Sequence, residues 1–253
     1  MTRSFDALVE EAAAAPVDGW DFGWLDGRAT EERPSWGYQR LLGGRLAGAT
    51  AALDIQTGGG EVLAGAVTGR FPPTMVVTEG WPPNVAGATA LLHPLGAVVV
   101  AVGEDAPLPF ADGAFDLVTS RHPAIVRWSE IARVLAPGGT YFAQHVGGGT
   151  NREISELFLG PLDGADGRHH ELEADRAQAA GLQIVRCCNE RLRLAFFDVG
   201  AVVFFLRKVV WTVPGFTVDR YRDRLRELHD LIERQGAFHS TMSRTLFEVR
   251  APR

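Results

Sequence analysis

Ala51-Ala52-Leu53-Asp54-Ile55-Gln56-Thr57-Gly58-Gly59-Gly60-Glu61 is the stretch from which the rest of the chain is read. Residues 51–55 are mostly apolar, as a short strand covered on both faces should be. Gly58, Gly59 and Gly60 remove side chains where the backbone must turn tightly and where a ligand can come close. Glu61-Val62-Leu63-Ala64 then restores helix-forming residues. The amides at such a helix start attract a carboxylate or a phosphate, so a nucleotide-like ligand is expected here.

Strands and helices alternate on either side of this turn. A helix is expected up to Leu46, capped by Ser35. The helix from Glu61 is expected to end near Gly69. Met75-Val76-Val77-Thr78 is a second strand, closed by Glu79 about 20 residues beyond the glycines, where a doubly wound sheet places a ribose-binding acid. A helix is expected over 84–93, with Asn84 as its cap. Further strands are expected at 97–102, 115–119 and 140–145, with a helix at 123–135 stopped by Pro137-Gly138-Gly139. Beyond Gly147 come a short helix at 151–159, a polar loop at 163–170 and a helix at 171–180. A sixth strand lies within 182–194, and the apolar run 199–210 reads as a buried helix or a strand. An amphipathic helix at 218–234 leads to a closing strand at 243–250, antiparallel to the sixth. The pattern is α/β: a Rossmann-like, seven-stranded, mostly parallel sheet with an antiparallel last strand and helices on both faces. Residues 3–14 form a helix, and Trp20, Phe22, Trp24 and Trp36 suggest a helical N-terminal cover packed by aromatics.

Composition narrows the function. Hydrophobic residues make up 46% of the 253, which supports a packed core. With 31 acidic and 25 basic residues, the formal charge of −6 argues against gripping nucleic acid through its phosphates. No apolar run has the length of a membrane span. The N-terminus lacks the apolar core of a signal peptide, and the two cysteines, Cys187 and Cys188, are neighbours, so a reducing, cytoplasmic location is expected. No spaced Cys and His quartet is present, so no metal site is expected.

Four blocks carry a family resemblance: Leu53-Asp54-Ile55-Gln56-Thr57-Gly58-Gly59-Gly60, then Val77-Thr78-Glu79, then Asp105 to Val118 with its Leu-Pro-Phe and Phe-Asp-Leu-Val pieces, then Arg133-Val134-Leu135-Ala136-Pro137-Gly138-Gly139. In these the chain resembles the class I S-adenosylmethionine-dependent methyltransferases, in particular the small-molecule branch called type 11. The likeness covers about residues 35–146. It implies one domain over 1–253, with a cover at 1–34, a cofactor-binding core at 35–146, and substrate-side helices and closing strands at 147–253.

The resemblance also implies roles. Asp54, Gly58 and Gly60 hold the methionine part of S-adenosylmethionine. Glu79, followed by Gly80, takes the ribose hydroxyls, and Trp81 lies on the adenine face. Asp105 takes the adenine amino group, and the Ala106 amide meets a ring nitrogen. Gln56 stands where the family usually has glycine and either narrows the methionine pocket or bonds within it. Tyr38 reaches the cofactor carboxylate or packs in the core. Carboxylates suit a sulfonium donor, and a single bidentate acid suits a diol.

His122, just past the fourth strand, is the candidate catalytic base or acceptor-orienting group, and His145 at the end of the fifth strand is a second. Arg121 binds an acidic group of the acceptor or of the cofactor, or pairs with a carboxylate. The function implied is methyl transfer to oxygen, nitrogen or carbon of a small organic acceptor. The rivals are a ribosomal or transfer RNA methyltransferase, a nicotinamide-dependent oxidoreductase on a related sheet, and a non-catalytic cofactor-binding protein. The Asn/Asp-Pro-Pro-Tyr signature of nucleobase amino methylation is missing; Arg121-His122-Pro123-Ala124 stands in its place.

Overall fold

The computed structural model describes residues 3–17, 19, 21–162 and 168–253. Trp20 of the aromatic cover and positions 163–167 of the polar loop lie outside the described residues. Among the described residues the elements run, in chain order, α1 (Phe5–Ala14), β1 (Ala29–Glu31), α2 (Tyr38–Leu46), β2 (Ala51–Asp54), α3 (Glu61–Ala64), β3 (Thr74–Glu79), α4 (Pro82–Leu92) and β4 (Val98–Ala101). They continue with β5 (Phe115–Arg121), α5 (Trp128–Val134), β6 (Leu135–Val146), α6 (Arg152–Leu159), α7 (His170–Ala179), β7 (Gln183–Phe196), α8 (Val199–Lys208), α9 (Arg222–Gln235) and β8 (Phe238–Arg250).

The strands form one sheet in the order β1-β7-β8-β6-β5-β2-β3-β4. The pairs of β2 with β3 and β5, of β3 with β4 and of β5 with β6 are parallel. The last strand, β8, runs antiparallel to β6. This is the α/β architecture expected. One strand is added to the seven: β1, three residues reading Ala-Thr-Glu, pairs antiparallel with β7. It is too short and too polar to show a strand period in sequence.

The chain divides into two compact units. The first comprises Met1–Arg33, Gly149–Asp166 and Arg191–Ser243. Its core gathers Phe5, Leu8 and Val9 of α1, Ile154 and Phe158 of α6, and the apolar face of α9 around α8. Within the run at 199–210, Val199–Lys208 is therefore a helix, buried on nearly every side, as a helix that is apolar almost all round must be. Phe204 is among its fully buried side chains, each stabilising the fold by roughly 1.5–3 kcal/mol. Trp24 of the expected cover stacks on Phe204 at 4.7 Å, and Phe22 packs against the same core.

The second unit comprises Pro34–Gly148, Gly167–Glu190 and Arg244–Arg253, and holds the parallel strands β2 to β6. One cluster lies under α2 and α4, with Trp36, Leu42, Met75, Leu92 and Phe142; another lies under α5 and α7, with Leu53, Val118, Ile131, Tyr141 and Phe247. Several expected boundaries are corrected here. The residue capping α2 is Gly37, at φ +60°, while the backbone amide and hydroxyl of Ser35 both donate to Glu190. Helix α4 begins at Pro82, not at Asn84, because proline suits the first turn, where no amide partner is needed. Helix α3 is a single turn, and α5 begins at Trp128 rather than at Pro123.

Candidate functional site

Two buried carboxylates stand at the carboxyl ends of neighbouring strands. Asp54 closes β2 and lies in register with Val77 of β3 and Thr119 of β5. Thr119 Oγ1 donates to Asp54 Oδ1 at 2.5 Å. Asp54 is 5% exposed, and burial raises its pKa to about 6 against the pull of the hydroxyl bonds. Glu79 closes β3 and is 6% exposed. Its Oε2 accepts the Gly58 amide at 2.8 Å, and its Oε1 accepts the amides of Gly80 at 3.1 Å and Trp81 at 3.0 Å.

Gly58 adopts φ +65°, and a Cβ placed there would point into open space. Gly60 adopts φ +87°, and a Cβ there would lie 2.7 Å from Leu92. The first glycine thus leaves the turn bare for a ligand; the second lets α4 pack close. Helix α3 is one turn long and carries little dipole, and the Gly58 amide donates to Glu79.

Gln56 is held at φ +56°, the left-handed region that favours glycine. Its amide faces the loop after β5: Nε2 donates to Ile125 O at 2.7 Å, and Oε1 accepts the Ala124 amide at 2.7 Å. The side chain bridges two walls of a cleft of about 460 Å³, which Gln56 lines with Ile55, Thr78, Ser120 and Ile125. Gln56→Gly removes the bridge but also relieves backbone strain of about 1–3 kcal/mol. Stability is therefore expected to change little, while amide hydrogen exchange at Ala124 and Ile125 speeds up by tenfold or more. Unchanged exchange contradicts the bridge.

The far wall of the cleft is built from the segment that holds the Leu-Pro-Phe piece and from helix α5. Glu104, Ala106, Leu108 and Glu130 line it. Asp105 is exposed beside Glu104, with its carbonyl accepting from Arg127 Nη1 at 2.7 Å. Trp81 is 48% exposed. Arg133 grips Glu130 through two bonds of 2.9 and 2.8 Å. It also donates to the carbonyls of Leu108 at 2.9 Å and Phe110 at 2.7 Å. Glu130 in turn accepts the Leu108 amide at 2.7 Å.

Two sequence blocks far apart in the chain are thus one clamp. Its bonds to Arg133 hold the Glu130 pKa down to about 2. A depressed carboxylate stabilises fully above its unfolded pKa, and that contribution is lost as pH falls from about 4.5 through about 2. Arg133→Ala is expected to cost about 2 kcal/mol. That lowers the melting temperature by about 4–8 °C near pH 7, with the difference shrinking below pH 4.

His122 follows β5 at φ +57°. Its amide donates to Gln144 O at 2.7 Å, and its Nε2 lies 2.9 Å from Gln144 Nε2. Burial first, then Arg121, Arg244 and His145, pushes its pKa well below the ordinary value. His145 does not share this position. Gln144 and His145 are consecutive on β6 and point to opposite faces. His145 Nε2 lies 2.9 Å from Tyr141 Oη, among Trp128 and Phe247. It lines a second cleft of about 690 Å³, with Ala124, Arg168, Glu173 and Arg176. Tyr38 is buried, stacks on Phe142 at 5.3 Å and donates its hydroxyl to Ser120 O at 3.0 Å. Arg121 is exposed at the end of β5. Sequence reasoning missed Thr119, Gln144 and the part of Trp36 facing Gln144. Strand register reveals the first two, and the third shows only in the hydrogen bond from Trp36 to Gln144.

An open parallel sheet with its cleft at the carboxyl ends of the strands defines the Rossmann-like class. Residues 53–143 match the family model described as methyltransferase domain, type 11. Over this segment the chain is similar to the methyltransferase domain family. It is similar to a protein of Bacillus halodurans C-125 described as a "putative methyltransferase", with TM-score 0.56 and 17% identity over 85% of this chain and 99% of that one. It is also similar to the [4+2]-cyclase SpnF, with TM-score 0.51 and 18% identity over 97% and 92% of the two chains. A third is a Haemonchus contortus phosphoethanolamine N-methyltransferase 2 in complex with phosphomonomethylethanolamine and S-adenosylhomocysteine. There the TM-score is 0.53 and the identity 14%, over 100% of this chain and 61% of that one. At these identities the likeness is one of fold. No curated protein matches the sequence.

Proposed function

We propose that the chain binds S-adenosylmethionine at the ends of β2 and β3 and transfers its methyl group to a small organic acceptor. The observation that carries this reading is the pair of buried acids flanking a bare glycine turn, Asp54 and Glu79 around Gly58. When bound, the cofactor supplies an electrophilic methyl group on a positively charged sulfur. Asp54 and the turn at Gly58 hold the amino-acid end, and Glu79 accepts from the ribose hydroxyls. Glu104 and Ala106 meet the base from the clamped wall, with Asp105 and Trp81 at its rim.

The protein's main task is then alignment, which can supply roughly 7–11 kcal/mol of barrier reduction. His122 and Arg121 lie at the end of β5 and face the acceptor, orienting it and binding an acidic group. His145 lies on the other face of β6 and is assigned no contact with the acceptor. The acidic balance favours a small acceptor over RNA, and the neighbouring cysteines favour a cytoplasmic setting.

Among the described residues no helix is long and apolar enough to cross a membrane. Calorimetric titration with S-adenosylhomocysteine and with NAD tests the reading: micromolar binding of the first alone is expected, and binding of NAD alone overturns it. The fold also occurs in a [4+2]-cyclase, so methyl release to a panel of acceptors is the companion assay. Binding without release in any acceptor would mean that the site serves a non-methylating purpose.

A further inference from the structure

We propose that Trp36 and Gln144 are positioning residues for His122, together fixing its imidazole as the Nδ1–H tautomer so that it meets the acceptor as a hydrogen-bond donor. The second half of this statement rests on the placement of His122 on the acceptor side, given above. The first half stands on geometry alone. Trp36 Nε1 lies 2.8 Å from Gln144 Oε1. An indole nitrogen only donates, so the atom facing it must be the amide oxygen; the flipped amide would set donor against donor. The other end of the amide is then its NH2 group, 2.9 Å from His122 Nε2. An amide NH2 only donates as well. His122 Nε2 must therefore accept, and a neutral ring carries its proton on Nδ1.

The surroundings enforce this arrangement. Trp36 and Gln144 are 5% and 4% exposed, so water does not readily replace either partner. Gln144 holds His122 twice, through its side-chain NH2 and through its carbonyl, which accepts the His122 amide at 2.7 Å. The backbone of His122 is kept in the left-handed region at φ +57°, a conformation that persists only where the surroundings impose it. The charged and titratable groups acting on the ring are Arg121, Arg244 and His145. All three oppose a positive charge, and a second proton on Nε2 would meet the Gln144 NH2 head-on. Nδ1 has no protein partner among the described residues and is the nitrogen left for a ligand. His122 is then unsuited to take a proton at Nε2, and a carbonyl, carboxylate or alkoxide oxygen of an acceptor is the group it suits.

Nitrogen-15 NMR of the histidine rings at pH 7 tests this without any ligand. The wild-type protein is expected to show a protonated Nδ1 and an unprotonated Nε2 for His122. Gln144→Glu replaces the NH2 donor by a carboxylate oxygen. It is expected to move the proton to Nε2 and to raise the titration midpoint of the ring by more than one pH unit. Trp36→Phe frees the amide to flip and is expected to give a mixture of tautomers, so the test survives should Gln144→Glu fail to fold. A proton on Nε2 in the wild type, or the same tautomer in every folded variant, overturns the proposal.

With an active acceptor, Gln144→Glu is expected to lower kcat at least tenfold while leaving the cofactor Kd within twofold. An unchanged kcat despite an inverted tautomer overturns the donor role. Failure of the wild type to bind S-adenosylhomocysteine is a separate result. It removes the functional reading and leaves the tautomer measurement standing.

Discussion

Glu79→Ala is expected to weaken S-adenosylhomocysteine binding by a hundredfold or more and to lower the melting temperature of the unliganded protein. The two effects have different origins. Charge-assisted bonds are worth roughly 1.5–3 kcal/mol each, and a ribose diol makes two of them with one carboxylate. Losing both removes most of the affinity on that side of the cofactor. The stability loss comes from the protein itself. Glu79 is buried and accepts three backbone amides, from Gly58, Gly80 and Trp81. Alanine leaves these donors without an acceptor, at a cost of about 3 kcal/mol, or about 6–12 °C in melting temperature. Calorimetry below 15 °C, where the variant stays folded, separates the two. A folded variant that binds as tightly as wild type removes Glu79 from the cofactor site.

Asp54→Asn is expected to act in opposite directions on stability and binding. Burial raises the Asp54 pKa to about 6, above its unfolded value of 3.8. The stabilisation that goes with a raised pKa is fully present below about pH 3.8 and is lost as pH rises through about 6. At pH 8 the buried charge therefore burdens the unliganded fold by an amount on the order of 3 kcal/mol. Asparagine keeps an oxygen for the Thr119 hydroxyl and carries no charge. The variant should melt several degrees higher than wild type at pH 8, with the gain vanishing near pH 4.

Its affinity for S-adenosylmethionine should fall at least tenfold, because the anion proposed to face the ligand's ammonium and sulfonium groups is gone. The wild-type protein should bind more tightly as pH rises from 5 to 7. Melting curves and titrations at these pH values are the check. A variant no more stable than wild type at pH 8 contradicts the buried-charge account. Stability given up for function at one carboxylate is a known pattern of binding sites.

The sheet was readable because its strands are short apolar runs bounded by glycine, proline or acid, as in residues 51–55 and 97–102. The blocks at 105–118 and 133–139 were readable as a resemblance, and the Arg133–Glu130 clamp ties the two together in this chain. Helix starts were harder. Pro82 and Pro83 open α4, although proline reads more readily as a break than as a beginning. The loop at 123–127 looks helical in sequence, but Ala124 and Ile125 give their backbone groups to the Gln56 side chain.

Non-local polar pairing was not legible. Trp36 and Gln144 are 108 positions apart, and nothing in either neighbourhood marks the other. The glutamine at position 56 was visible as a departure from the family pattern. Its direction, toward the β5 loop, depends on a left-handed backbone that sequence does not reveal. His122 and His145 looked equivalent, each at the end of a strand. They differ because consecutive residues of β6, Gln144 and His145, face opposite sides of the sheet.

The most direct measurement is a crystal structure of the protein grown with saturating S-adenosylhomocysteine. The account predicts the ribose hydroxyls within hydrogen-bond distance of Glu79 and the amino-acid end against Asp54 and Gly58. An empty cleft, or a ribose bound away from Glu79, would contradict it.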